Sequence, residues 1–320
     1  MTAYAQIFYA LWISLMFSYA IIGHLIQLCL HTVICFLGIL MNGIVLLVYL
    51  RVPSFQTMTN MLIVHQSFID FISSILFLFF YVCPLYGFQP TGVNGIVFCK
   101  CRSLYWILTA ASKGNLLGLA LERYYAVIYP IRYRYHFKKK TLRYVFVCIW
   151  IYGVTCESNL AYFGTLDENN KCTYNWSYKT VEVIIGSTVF TFECVLPLLI
   201  LGFAYGRIAC ALGKPRMPTK IAKNSYIVTR NRNTAQRNVI ITSITVSVIF
   251  LVCWTPNQIL YLFLAVIPCD KPYCELNGFV HSITIFLCFI NMMANPFVYA
   301  LKYKAFRKSL KQLLSRVNNR

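Results

Sequence analysis

Six charged residues sit inside stretches that are otherwise apolar: Asp70, Lys113, Glu122, Arg123, Glu157 and Glu193. Charge in such surroundings is costly unless paired, and where it is kept it marks ion pairs, cation or proton sites, or switches that change partner. Glu122 and Arg123 are sequence neighbours that can pair in one state and separate in another. Lys113 has two candidate partners, Asp70 and Glu193, with Glu157 a further acid in the same bundle. We expect a Lys113 to Glu193 ion pair that ties together the two segments carrying them. No Gly-rich phosphate loop, nucleophile elbow or HExxH accompanies these residues, so the sequence offers no enzyme chemistry. No CxxC pair with a His cluster suggests zinc. What remains is an ion path, as in a transporter, or a signalling switch.

The elements that position these groups follow from composition. Of 320 residues 59% are hydrophobic and 12% charged, against roughly 25% charged in a soluble domain. Apolar stretches fall near 22–50, 58–83, 103–129, 142–163, 181–211, 237–267 and 277–301, each long enough to cross a bilayer as a helix. The expected fold is an all-α membrane protein, a seven-transmembrane helix bundle over 22–301 without internal repeats. No charge precedes Arg51, and one helix of about 50 residues would be about 75 Å long, over twice the bilayer core. Residues 1–21 are therefore expected to form a separate hydrophobic extracellular segment. It is either signal-like, ending near Ser18-Tyr19-Ala20, or a tail, and it lacks the positive start of a signal peptide. In 302–320, Phe306, Leu310, Leu313 and Leu314 among basic neighbours predict a short amphipathic helix on the inner leaflet.

The 29 Lys and Arg against 9 Asp and Glu give +20, a balance that in a soluble protein suggests nucleic acid. Position excludes that: seven basic residues lie in 123–143, eight in 207–237, seven in 302–320 and one at Arg51. These alternate loops are cytoplasmic by the positive-inside rule, which puts the start of span one outside and assigns the excess to orientation and anionic lipid. Of 14 Cys most lie inside spans, where they pack as small hydrophobes. Cys99, Cys101, Cys172, Cys269 and Cys274 fall on the outer, oxidising side, where disulfides persist. A bridge from Cys99 or Cys101 to Cys172 would pin the loop after span four over the bundle, and one from Cys269 to Cys274 would close a tight loop. Asn175-Trp176-Ser177 is a glycosylation sequon in the same outer loop.

Span three ends in Glu122-Arg123-Tyr124, span six contains Cys253-Trp254-Thr255-Pro256, and span seven ends in Asn295-Pro296-Phe297-Val298-Tyr299 before Phe306. With Asn42, Asp70, Trp150, Pro197 and Tyr205, one set per span and in order, the chain from Asn42 to Phe306 resembles rhodopsin-like (class A) G-protein-coupled receptors. The resemblance implies activation switches at Glu122, Arg123, Tyr124, Pro197, Tyr205, Phe250, Trp254, Pro256, Asn295, Pro296 and Tyr299. Proline permits the helix kinks about which such a bundle opens. It also implies no cofactor beyond a modulatory sodium ion beneath Trp254, held by Asp70, Ser112, Asn291 and Asn295, whose oxygens suit a hard cation. Cys99 stands nearer than Cys101 to the family's usual spacing before Arg123, which favours Cys99–Cys172. Gln236 stands where many members carry an acid that locks this arginine, so raised basal activity follows.

The resemblance places a plasma-membrane receptor with its N-terminus outside, an extracellular ligand at Tyr105, Trp106, Thr109, Gln258 and Tyr261, and a lid over residues 164–179. Inside, Arg123, Pro130 and Ile131 would contact a heterotrimeric G protein. Tyr105 replaces the aspartate of amine receptors and Phe289 the lysine of opsins, leaving a peptide or a non-amine small molecule. Trp106, Asn115 and Cys253-Trp254-Thr255-Pro256-Asn257-Gln258 look like peptide receptors of the invertebrate type. An ion-coupled transporter is the remaining alternative.

Overall fold

With no water to bond in lipid, an apolar run must close its backbone hydrogen bonds internally, as a helix. The computed structural model describes residues 3–213, 223–267 and 271–318; the expected Cys269–Cys274 bridge and the side chain of Gln236 lie outside the described residues. Among these, six helices are long and apolar enough to cross a membrane: Leu25–Arg51, Asn60–Leu85, Lys139–Phe163, Lys179–Ala211, Ile240–Val266 and Ile283–Lys302. They are spans one, two, four, five, six and seven. Span three, Ser103–Ile128, is less apolar because it carries Lys113, Glu122 and Arg123. Its position compensates. It packs against spans two, four and five, and its charged side chains are buried in protein instead of facing lipid.

Span one is the end of a single helix, Ala3–Arg51, so the backbone continues unbroken across residues 21 and 22, where a boundary was expected. Span six likewise belongs to a longer helix, Lys223–Val266. The predicted amphipathic segment is the helix Lys304–Asn318. It docks Phe306 on Phe55, ring centroids 5.9 Å apart, and Arg316 donates to the carbonyl of Arg51 at 3.0 Å.

Pro84, Pro197, Pro256 and Pro296 lie within spans, and each leaves the carbonyl four residues earlier without its usual donor. The chain accommodates this in two ways. In spans two and five a π-helical turn forms around that carbonyl, Leu78–Val82 before Pro84 and Thr191–Val195 before Pro197. The Tyr152 hydroxyl donates to the Phe192 carbonyl in the second turn at 2.8 Å. Spans six and seven stay α-helical through Pro256 and Pro296. There the Met292 carbonyl, released by Pro296, accepts Asn42 Nδ2 at 2.9 Å.

On the outer side, span four runs into a hairpin of β1, Gly164–Leu166, and antiparallel β2, Cys172–Tyr174, with Leu166 opposite Cys172. Its turn is held by Asp167 Oδ1, which accepts the backbone N–H of Asn169 at 2.9 Å and of Lys171 at 2.7 Å. Cys172 is bridged to Cys99, while Cys101 is free and exposed. The loop is therefore stapled to the outer end of span three, as the spacing favoured.

Candidate functional site

Beneath the hairpin lies a cavity of about 270 Å³ lined from spans two, three, four, five, six and seven and from β2. Of the residues expected to meet a ligand, Trp106, Gln258 and Tyr261 line it. Tyr105 and Thr109 stand outside the lining. Tyr105 is fully buried between Tyr81, Trp106 and Phe289, with ring centroids 5.3 to 5.7 Å away. Thr109 turns its hydroxyl back onto the Trp106 carbonyl at 2.7 Å, an intrahelical bond that satisfies it. The lining also holds Tyr81, Arg102, Glu157, Tyr174, Asn257 and His281, which sequence reasoning did not assign to a ligand. Tyr174 was within reach of inference: it lies two residues after Cys172, so the disulfide that pins the loop also carries it over the cavity.

The cavity floor is built on an ion cluster. Lys113 Nζ donates to Glu193 Oε2, as expected, with both side chains fully buried. Gln258 Nε2 donates to the same carboxylate oxygen at 2.7 Å, and Lys113 lies 4.1 Å from the centre of the Trp254 ring, a cation–π geometry. Glu193 sits in the π-helical turn of span five. The turn adds a residue to that part of the helix and alters which side chains face inward. Three spans thus meet at one carboxylate directly above Pro256. A second contact leads the same way, because Trp106 packs edge-on against Trp254 at 6.3 Å.

Below Trp254, Asp70 is buried with both oxygens bonded. Gln66 Nε2 reaches each of them at 3.1 Å, Ser112 Oγ donates at 3.2 Å and Asn295 Nδ2 at 2.7 Å. Lys113 does not come to Asp70, because Glu193 holds it. The Gln66 amide also contacts Ser112, and Gln66 Oε1 accepts Asn115 Nδ2 at 2.8 Å, which sets the amide's orientation. Asn291 Oδ1 and Asn295 Oδ1 are buried without a donor. This oxygen set suits a hard cation, with the Gln66 amide already occupying the space between Asp70 and Ser112.

At the end of the bundle away from the hairpin, Arg123 pairs with Glu122, and the Tyr133 hydroxyl donates to Glu122 from the short helix Pro130–His136. Tyr124 packs with Ala204, Ile208 and Ile240, and Tyr205 contacts Ser247 Oγ at 3.1 Å. Phe250 lies 6.4 Å from Trp254. Tyr299 is buried in the cluster that contains both. The Tyr303 hydroxyl, not anticipated from sequence, donates to Asn60. Pro130 and Ile131 are exposed at the same end of the bundle.

Residues 41–299 match the 7 transmembrane receptor (rhodopsin family). Among curated proteins, the chain is 29% identical to "Galanin receptor 2b" of Danio rerio over 89% of this chain and 73% of the relative. It is 24% identical to "Substance-P receptor" of Homo sapiens, covering 88% and 69%, and 23% identical to "Somatostatin receptor type 4" of Rattus norvegicus, covering 89% and 72%. Seven spans in order, a lidded outer cavity, an ion cluster over the span-six proline and a match across most of the chain lead to one conclusion: the protein belongs to the rhodopsin family of seven-transmembrane receptors.

Proposed function

We propose that this protein is a plasma-membrane receptor, N-terminus outside, that binds an extracellular peptide under the hairpin and activates heterotrimeric G proteins by opening its cytoplasmic face. Three relatives carrying the names of peptide receptors support the ligand class, and the family is one of receptors, not enzymes. The observation that carries the mechanism is the contact series Gln258, Glu193, Lys113, Trp254. A ligand that pulls on Gln258 shifts the carboxylate holding Lys113, and with it the cation resting on Trp254, two residues before the Pro256 kink. Swinging the inner half of span six away from span three then releases Arg123 from its buried place beside Glu122 toward a G protein, with exposed Pro130 and Ile131 as the flanking contact.

Asp70, Ser112, Asn291 and Asn295 would hold a sodium ion that stabilises the closed bundle, in competition with the Gln66 amide. Asn175, exposed after the hairpin, is the glycosylation site. The basic inner loops rest on anionic lipid. The test is nucleotide exchange on several co-expressed G proteins during a peptide-library screen, with Arg123→Ala as control. Peptide-dependent exchange abolished by Arg123→Ala is the expected result; solute uptake without exchange would instead make the intramembrane charges a transport path.

A further inference from the structure

The polar atoms around the cavity floor are unbalanced. Glu157 lines the cavity and is buried, and the Glu193 carboxylate is joined to the same cavity through Gln258. Glu193 holds the buried ammonium of Lys113, which also rests on Trp254. No ion pair joins Glu157 to a cation among the described residues. Arg102, also on the cavity wall, lies over the Tyr81 ring at 5.4 Å. Gln258 spends its amide donor on Glu193, and its Oε1 is buried without a donor, as is Glu193 Oε1. Around Gln258 the unpaired atoms are acceptors, while the unpaired donors of the lining, the Tyr81 hydroxyl and Arg102 Nε, belong to the Arg102–Tyr81 stack. In a low-dielectric site such acceptors are costly unless a donor arrives, and an acidic group among them favours a charged one.

We propose that the cavity takes a cationic group of the ligand, a guanidinium or an ammonium, against the Glu157 carboxylate and Gln258 Oε1. A guanidinium offers five donors in a planar fork, enough for both acceptors at once. The site rests on the receptor reading above and narrows its ligand to one bearing a basic group, either a peptide's Arg or Lys or a free amine. It also gives that ligand a direct hold on the switch, because Gln258 is the residue through which Glu193 and Lys113 reach Trp254.

The experiment uses the full-length receptor in cells, with nucleotide exchange normalised to cell-surface receptor number. The probes are pooled synthetic peptides in two matched versions, basic residues intact or replaced by citrulline and norleucine, together with argininamide and agmatine as free cations. On the unmodified receptor the neutral version should lose about 10- to 100-fold in potency. Glu157→Gln should impose a similar loss on the basic version and leave the neutral one unchanged. Equal potency of the two versions, or an equal loss for both in Glu157→Gln, overturns the proposal. Should Glu157→Gln fail to reach the surface, Gln258→Leu and the matched peptides on the unmodified receptor decide. Peptides active regardless of charge would sustain the peptide reading and sink this one. Free cations active where no peptide is would do the reverse, and silence from every probe would refute both.

Discussion

Removing the charge of Lys113 should damage the receptor more than removing that of Glu193. Both side chains are fully buried, and stripping one partner from such a pair leaves an uncompensated charge that costs about 3–5 kcal/mol. The surroundings make the two cases unequal. Lys113→Met leaves the buried Glu193 carboxylate with no cation, and the full penalty applies. Glu193→Gln leaves the ammonium against the Trp254 ring 4.1 Å away, where cation–π attraction in a desolvated site is worth about 2 kcal/mol. We expect Glu193→Gln to cost about half as much. In the double variant Lys113→Met/Glu193→Gln the losses should fall short of their sum by at least about 2 kcal/mol, since contacting charges couple in the range 0.5–3 kcal/mol. Thermal unfolding of the purified full-length receptor, with surface number as a second readout, measures all three. Losses that add to within about 0.5 kcal/mol would refute the pairing, and a milder effect for Lys113→Met than for Glu193→Gln would refute the part given to Trp254.

Cys99→Ser and Cys172→Ser should each cost about 4 kcal/mol, the chain-entropy value for a closed loop of this size, given a separation of 73 residues. Cys101→Ser should be silent, and surface expression with and without reductant separates them. Gly153→Ala would put a Cβ 2.7 Å from the Ile107 carbonyl and 3.2 Å from Ala111 Cβ. Prying spans three and four apart there should lower thermal stability by about 1–3 kcal/mol, and an unchanged midpoint would contradict the close crossing. Asp70→Asn should abolish any dependence of ligand affinity on sodium, whereas Gln66→Ala, which vacates the space between Asp70 and Ser112, should strengthen it. An unaltered sodium response in Asp70→Asn would remove the cation from that site.

The span limits were legible because the bilayer admits so few backbone solutions. Spans two, three, four and five, expected to start near 58, 103, 142 and 181, begin as helices at Met58, Ser103, Lys139 and Lys179. Local patterning likewise disclosed the amphipathic helix at Lys304–Asn318. The cavity lining was legible only in part. Trp106, Gln258 and Tyr261 face the cavity, but Tyr105 and Thr109 share a helical stripe with Trp106's neighbours and turn elsewhere, because a stripe about 100° wide does not say which part of it meets a neighbour and which a void. The π-helical turn at Thr191–Val195 was not legible either, since a proline announces a lost hydrogen bond without saying whether the helix answers by bulging or by borrowing a donor from another span.

By itself the sequence determined the number of spans and the presence of too many buried charges, both of which depend on local composition and on the uniform demands of the membrane. Only the tertiary structure decided where those charges go. Lys113 stands 43 positions from Asp70 and 80 from Glu193 in the chain, and its choice of Glu193 is made by the turn of span five and the amide of Gln258. Asp70 is left to Gln66, Ser112 and Asn295. A buried charge is fixed by whichever donors and acceptors the packing brings within about 3 Å, and that is a property of helices meeting, not of any one helix.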